Sequence, residues 1–176
     1  MRRPLEMNPQ RPSVSSVDGT GFRNPAKKWP TYTLTGKQHK MVFLDHSPDN
    51  KFVLLVGDSH LRGIADGFVE MPAVFSYGVM STPGAAAKDL RTEVLNAVLD
   101  RTPDVVCVLA PSNNLTSSRT VIEAGEEFAL LLGSVCEKWD EVVVVDFPPG
   151  LNVPVDVQEH LRNQYRLKAA SAGVRY

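Results

Sequence analysis

Lys51–Gly67 reads KFVLLVGDSHLRGIADG. It opens on an unbroken apolar run, Phe52 to Val56, which stops at Gly57-Asp58-Ser59 and gives way to a segment of helical composition. A short continuous apolar run rich in branched side chains is what a strand buried on both faces requires. The turn then sets an acid, a hydroxyl and an imidazole (Asp58, Ser59 and His60) at the tip of that strand, where a helix over 60–70 is expected to start.

Downstream the same alternation repeats. Strands are expected in AVFSYGV (73–79), PDVVCVLA (103–110) and EVVVVDF (141–147). Helices are expected in AAAKDLRTEVLNAVLD (85–100), SSRTVIEAGEEFALLLGSVCEKW (117–139) and VDVQEHLRNQYRLKAASAG (155–173). Leu90, Val94, Leu95, Val98 and Leu99 recur at helical spacing, and Gly173 reads as a helix stop. Strands alternating with helices predict an α/β domain over 51–176, with a mainly parallel sheet and helices on both faces. The working site of such a sheet lies beyond the carboxyl ends of its strands. Those tips are Gly57-Asp58-Ser59, Gly78 to Gly84, Pro111 to Asn114, and Asp146 to Gly150, and they are expected to converge.

Residues 1–30 are rich in Pro, Ser, Arg and Asn, lack periodicity, and carry a net charge of +4; they read as a disordered basic tail. Residues 31–50 hold two short apolar pieces, TYTLTG and MVFLD, and read as an irregular lead-in or an edge hairpin. The 176-residue chain has a net charge of −1, so it has no general attraction to nucleic acid or membrane. The basic tail is the exception, since its charge allows contact with nucleic acid or anionic lipid. No apolar run is long enough for a membrane span or a secretory signal, so a cytoplasmic location is expected. Cys107 and Cys136 sit among apolar neighbours and read as buried reduced thiols. No cluster has metal-ligand spacing, and no cofactor is expected.

Ser59 at a helix start meets unpaired backbone N–H groups and the positive end of the helix dipole, an environment that favours charge developing on an oxygen. It also fits plain helix capping. The nucleophile elbow G-x-S-x-G does not fit, because Leu61 stands where its last Gly would be. A phosphate loop and a dinucleotide fingerprint fail on spacing.

VLLVGDSHLRG resembles the first block of the SGNH (GDSL-type) hydrolases, PGAAAKDL is similar to their second block, and LAPSNNL to their third. The resemblance spans roughly residues 50–176 and implies a flavodoxin-like three-layer αβα sandwich with esterase activity. By that resemblance Ser59 is the nucleophile, and its N–H, the Gly84 N–H and the Asn113 side-chain amide hold the oxyanion. Asp58 organises the turn, and His60 lines the substrate pocket. Pro111 stands where the family usually has Gly, and Asn114 where it usually has Asp. From the local sequence alone, Asn113 and Asn114 also fit a polar turn.

The family's base comes from an Asp-x-x-His after the last strand, and this sequence has none after EVVVVDF. Val174-Arg175-Tyr176 reads as the opening of a further parallel strand, so the sheet is expected to lack its last strand and the chain to stop one strand and one loop before that pair. His60 neighbours Ser59 but points away from it on a helix. His39, His46 and His160 read as surface positions. The expected function is an esterase acting on a small ester through an acyl-enzyme, inactive in a chain lacking the Asp-x-x-His; the alternative is a non-catalytic binding module, alone or within a larger protein. No metal takes part in either.

Overall fold

The computed structural model describes residues 26–44, 47–150 and 153–176. Four parallel strands lie side by side as β3 (Ser76–Ser81), β2 (Phe52–Gly57), β4 (Val105–Leu109) and β5 (Val142–Val145). The outer edge of β3 carries β1 (Lys40–Leu44), which runs antiparallel and pairs Val42 with Val79. The lead-in is therefore a hairpin-like turn, with Thr31 bridging Gln38, that feeds an edge strand. At the opposite edge Arg175 bridges Val143 in parallel, and the Val144 N–H donates to the Arg175 carbonyl at 2.7 Å.

Side chains alternate across each strand, and the sheet's two faces are covered unequally. Leu54, Val56, Val106 and Val108 are sealed beneath α2 (Ala87–Asn96), α4 (Val121–Lys138) and α5 (Val155–Ser171), with α4 packed between the other two. The helices answer with Leu90, Val94, Phe128, Leu131, Leu161 and Tyr165. Val53, Leu55, Val105 and Cys107 turn to the other face and are only half-buried. That face is covered by a single 3₁₀ turn, Ser59–Leu61, the short α1 (Arg62–Ala65) and Trp29. Burial of β2 on both faces, as its composition suggests, is thus complete on one face only.

The first helix is much shorter than its composition predicts. Gly67 takes φ +77° directly after Asp66, and the N–H groups of Phe68 and Val69 fold back onto the Gly63 carbonyl, which ends the helix. Asn114–Ser117 forms an additional short helix, α3. The cap of α4 is Thr120, whose hydroxyl accepts the Glu123 N–H at 3.0 Å. Gly173, at φ +70°, stops α5 as expected.

Trp29, which the composition places in the tail, is buried on Leu61, Ala65 and Val79. Its indole N–H donates to Asp66 at 2.9 Å, and Arg62 stacks on its ring at 4.5 Å. Arg2, Arg3, Arg11 and Arg23 of the tail lie outside the described residues, as does His46. Cys107 is half-buried, but Cys136 is exposed on α4, contrary to its apolar sequence context.

Candidate active site

Gly57 ends β2 where a side chain would not fit: a Cβ there would lie 2.9 Å from the Leu109 Cβ. The chain can therefore turn tightly against β4, and Asp58 drops into the interior with no exposed surface. Its backbone carbonyl accepts the Ser81 hydroxyl at 2.9 Å, which ties the turn to the end of β3. A buried carboxylate must be matched by donors, and Asp58 has them. Oδ1 accepts the His60 N–H at 3.0 Å and His60 Nδ1 at 2.6 Å; Oδ2 accepts Asn113 Nδ2 at 2.9 Å.

Asn113 Nδ2 also donates to the Ala85 carbonyl at 3.0 Å. One amide thus links the residue before Ser59 to the residue after Gly84, and the tips of β2, β3 and β4 meet around it. The Thr82 N–H adds a direct tie to the Gly57 carbonyl at 2.9 Å. Gly84 adopts φ +74°, a conformation that costs an L side chain about 1–2 kcal/mol. Ser59 and Gly84 are exposed, and neither backbone N–H has an acceptor among the described residues. The Ser59 hydroxyl has no hydrogen-bond partner there either. Both protons of the Asn113 amide are engaged, so that group binds an anion only by sharing one of them.

His60 keeps about a third of its side chain exposed. Its hydrogen bond to Asp58 lifts its pKa above the ordinary histidine value, with partial burial opposing and the Asp58 charge assisting. Arg62, two residues on, turns its guanidinium toward Trp29 and Asp66.

Asn114 and Pro111, the departures from the family pattern, each have a partner the local sequence does not reveal. Asn114 is 2% exposed; its Oδ1 accepts the Ala87 N–H at 2.8 Å, and its Nδ2 donates to Glu127 at 2.6 Å and to the Ser118 hydroxyl at 2.9 Å. An ionised Asp could not make those donations. The Pro111 carbonyl accepts the buried Tyr165 hydroxyl at 3.0 Å. Asp146 is held by Arg162 at 2.9 Å and by the Tyr176 hydroxyl at 2.9 Å, which makes it a structural anchor between β5 and α5. His39, read from sequence as a surface residue, is partly buried; its Nδ1 lies 3.0 Å from the Thr82 hydroxyl and 3.2 Å from Glu93, so the lead-in is fastened to the loop that carries Gly84. Glu127 falls within the helix expected over 117–139, but the sequence does not show which of its turns faces Asn114.

Cavities also occur away from the Ser59 turn. One of about 280 Å³ is lined by Phe43, Phe52, Ser76, Tyr77, Asp100 and Arg101 at the amino ends of β2 and β3. No group of three or more His, Cys, Asp or Glu side chains that could hold a metal occurs among the described residues.

Solved structures with this architecture include AlinE4, described as an SGNH-hydrolase family esterase, at TM-score 0.59 and 15% identity over 73% of this chain and 76% of that one. TesA matches at TM-score 0.52 and 15% identity, over 70% and 76% of the two chains. A putative GDSL-like lipase from Parabacteroides merdae ATCC 43184 matches at TM-score 0.52 and 17% identity, over 71% and 75%. The fold is that of the SGNH hydrolases. No family model matches the sequence, and no curated protein matches it. At these identities the SGNH likeness is one of architecture: a mostly parallel five-stranded sheet with helices on both sides. No helix among the described residues is long and apolar enough to cross a membrane.

Proposed function

We propose that this chain is an SGNH-type serine esterase domain that cleaves a small ester through an acyl-enzyme on Ser59. One observation carries the reading: the N–H groups of Ser59 and Gly84, without an acceptor among the described residues, belong to loops cross-linked by the Asn113 amide, which itself bonds Asp58 and Ala85. Donors fixed before the reaction stabilise a developing oxyanion without reorganising, and removing one typically lowers turnover by ~10²–10³. In this reading Ser59 Oγ attacks the ester carbonyl, and the Ser59, Gly84 and Asn113 donors receive the oxyanion. His60 and the turn built on Asp58 border the substrate. The full rate needs a His held by an Asp, supplied in the family by an Asp-x-x-His segment. Without it, the chain turns over at a residual rate, to which binding and oxyanion stabilisation contribute.

The test is labelling by a fluorophosphonate and hydrolysis of p-nitrophenyl acetate. Ser59→Ala should abolish both, and undiminished hydrolysis by that variant removes Ser59 from the mechanism. A second reading, a non-catalytic binding module, is favoured by the commitment of both Asn113 amide protons to protein acceptors. It predicts that neither reaction occurs and that a ligand protects the site equally well in Ser59→Ala.

A further inference from the structure

Asp58 and His60 form a carboxylate–imidazole pair on the same turn as the serine. The carboxylate is fully buried and the imidazole is at the surface. The 2.6 Å contact is made through Nδ1, so in the neutral ring Nδ1 carries the proton toward Asp58 and Nε2 presents a lone pair. Nε2 has no hydrogen-bond partner among the described residues. The carboxylate is itself fixed, by the His60 backbone N–H at 3.0 Å and by Asn113 at 2.9 Å. This is the tautomer and restraint a general base needs, and it is built from a segment of three residues. Direct contact with the neighbouring Ser59 hydroxyl is poor for adjacent helical positions, but a general base can also act through one bridging water.

Taking Ser59 as the nucleophile, we propose that His60, oriented by Asp58, is the base for the residual reaction of this chain, working through a single water. In acylation the Ser59 Oγ–H gives its proton to the water as the water gives one to Nε2, and Oγ bonds to the acyl carbon. The imidazolium then returns a proton through the same water to the departing alkoxide, which leaves as the alcohol. In deacylation the water itself attacks the acyl carbon and gives a proton to Nε2. The bond to Oγ breaks, and the imidazolium returns a proton to Oγ through a second water that takes the place of the first. Asp58 takes up no proton in either step, and nothing besides ester and water enters. Asp58 is the charged group acting on the ring, while Arg62 is turned away to Trp29 and Asp66. Reaction should therefore rise with pH along a limb centred above the ordinary histidine value.

The experiment follows fluorophosphonate labelling of Ser59 in the 176-residue chain across pH 5 to 9, with His60→Gln, His60→Ala and Ser59→Ala as variants. His60→Gln should label about 100-fold more slowly, within the range that removing a general base gives, and should lose the pH limb. Free imidazole should restore labelling in His60→Ala, a rescue that a purely structural role would not give. If the Gln variant fails to fold, the wild-type limb must still coincide with the His60 titration followed by imidazole NMR. Labelling of His60→Gln at the wild-type rate and pH dependence overturns the proposal and leaves the Ser59 reading standing. A wild-type chain that does not label over hours also overturns the proposal, and it favours the non-catalytic reading of the site over Ser59 catalysis. Labelling that persists in Ser59→Ala refutes the nucleophile reading instead.

Discussion

Replacing Asn114 by Asp tests the reading of the third strand tip, because it restores the residue the family resemblance leads one to expect. In the protein as it stands, Asn114 Nδ2 donates to Glu127 at 2.6 Å and to Ser118 at 2.9 Å from a side chain that is 2% exposed. Asn114→Asp keeps the acceptor for the Ala87 N–H but removes both donors. A hydrogen bond to a charged group contributes about 1.5–3 kcal/mol. The new carboxylate also faces that of Glu127, and two like charges 4 Å apart cost about 4 kcal/mol at an effective dielectric near 20. The pair can escape by sharing one proton, which limits the loss to on the order of 3–4 kcal/mol at pH 8. For a chain of this size that is a fall in melting temperature of about 10 °C. The sign of the pH dependence follows: the shared proton is held more tightly in the folded state than in the unfolded one. The variant is thus least impaired below the ordinary carboxylate range, and the gap to wild type widens as pH rises through the raised value. Thermal melts at pH 4.5 and pH 8 measure it, and Glu127→Gln in the Asn114→Asp background should recover most of the loss by restoring a donor. A variant as stable as wild type at pH 8, or a deficit identical at both pH values, would refute the assignment of Glu127 as the partner that makes Asn the fitting residue here.

Tyr165→Phe should cost about 1–3 kcal/mol in urea melts, because the Pro111 carbonyl is left buried without its 3.0 Å donor. Gly84→Ala meets no steric contact but must adopt φ +74°, so it should lose about 1–2 kcal/mol of stability and also slow Ser59 labelling; a stability loss with unchanged labelling would detach the Gly84 N–H from the oxyanion. Burial raises the Glu93 pKa and lowers that of His39 beside it, so both groups prefer to be neutral. The Glu93 contribution is complete below the ordinary carboxyl range and is lost as pH rises through the raised value. Glu93→Gln should therefore match wild type in acid and exceed it at pH 8, as read from paired melts.

Much of this molecule is legible along the chain because strand and helix periodicities are local. The run from Phe52 to Val56, the valines of β5 and the apolar spacing of α2 announce their elements, and the tips that carry Ser59, Gly84 and Asn113 fall where each strand gives out. Local signals fail where a short segment's fate depends on what covers it. Composition favours a helix over 60–70, but Gly63 and Gly67 close it after one turn of α1. Trp29 looks like tail until Asp66 and Arg62 are brought beneath it.

The sequence by itself determined the order of strands and helices and which residues stand at the carboxyl ends of the strands, since both follow from side-chain pattern within a few turns of chain. Only the tertiary structure decided that Asp58 is the hub joining His60 to Asn113, that Asn113 ties Ala85 to the same point, and that Glu127 shadows Asn114. Those bonds join groups as much as 55 residues apart, and a buried polar atom takes whichever donor the packing delivers within 3 Å.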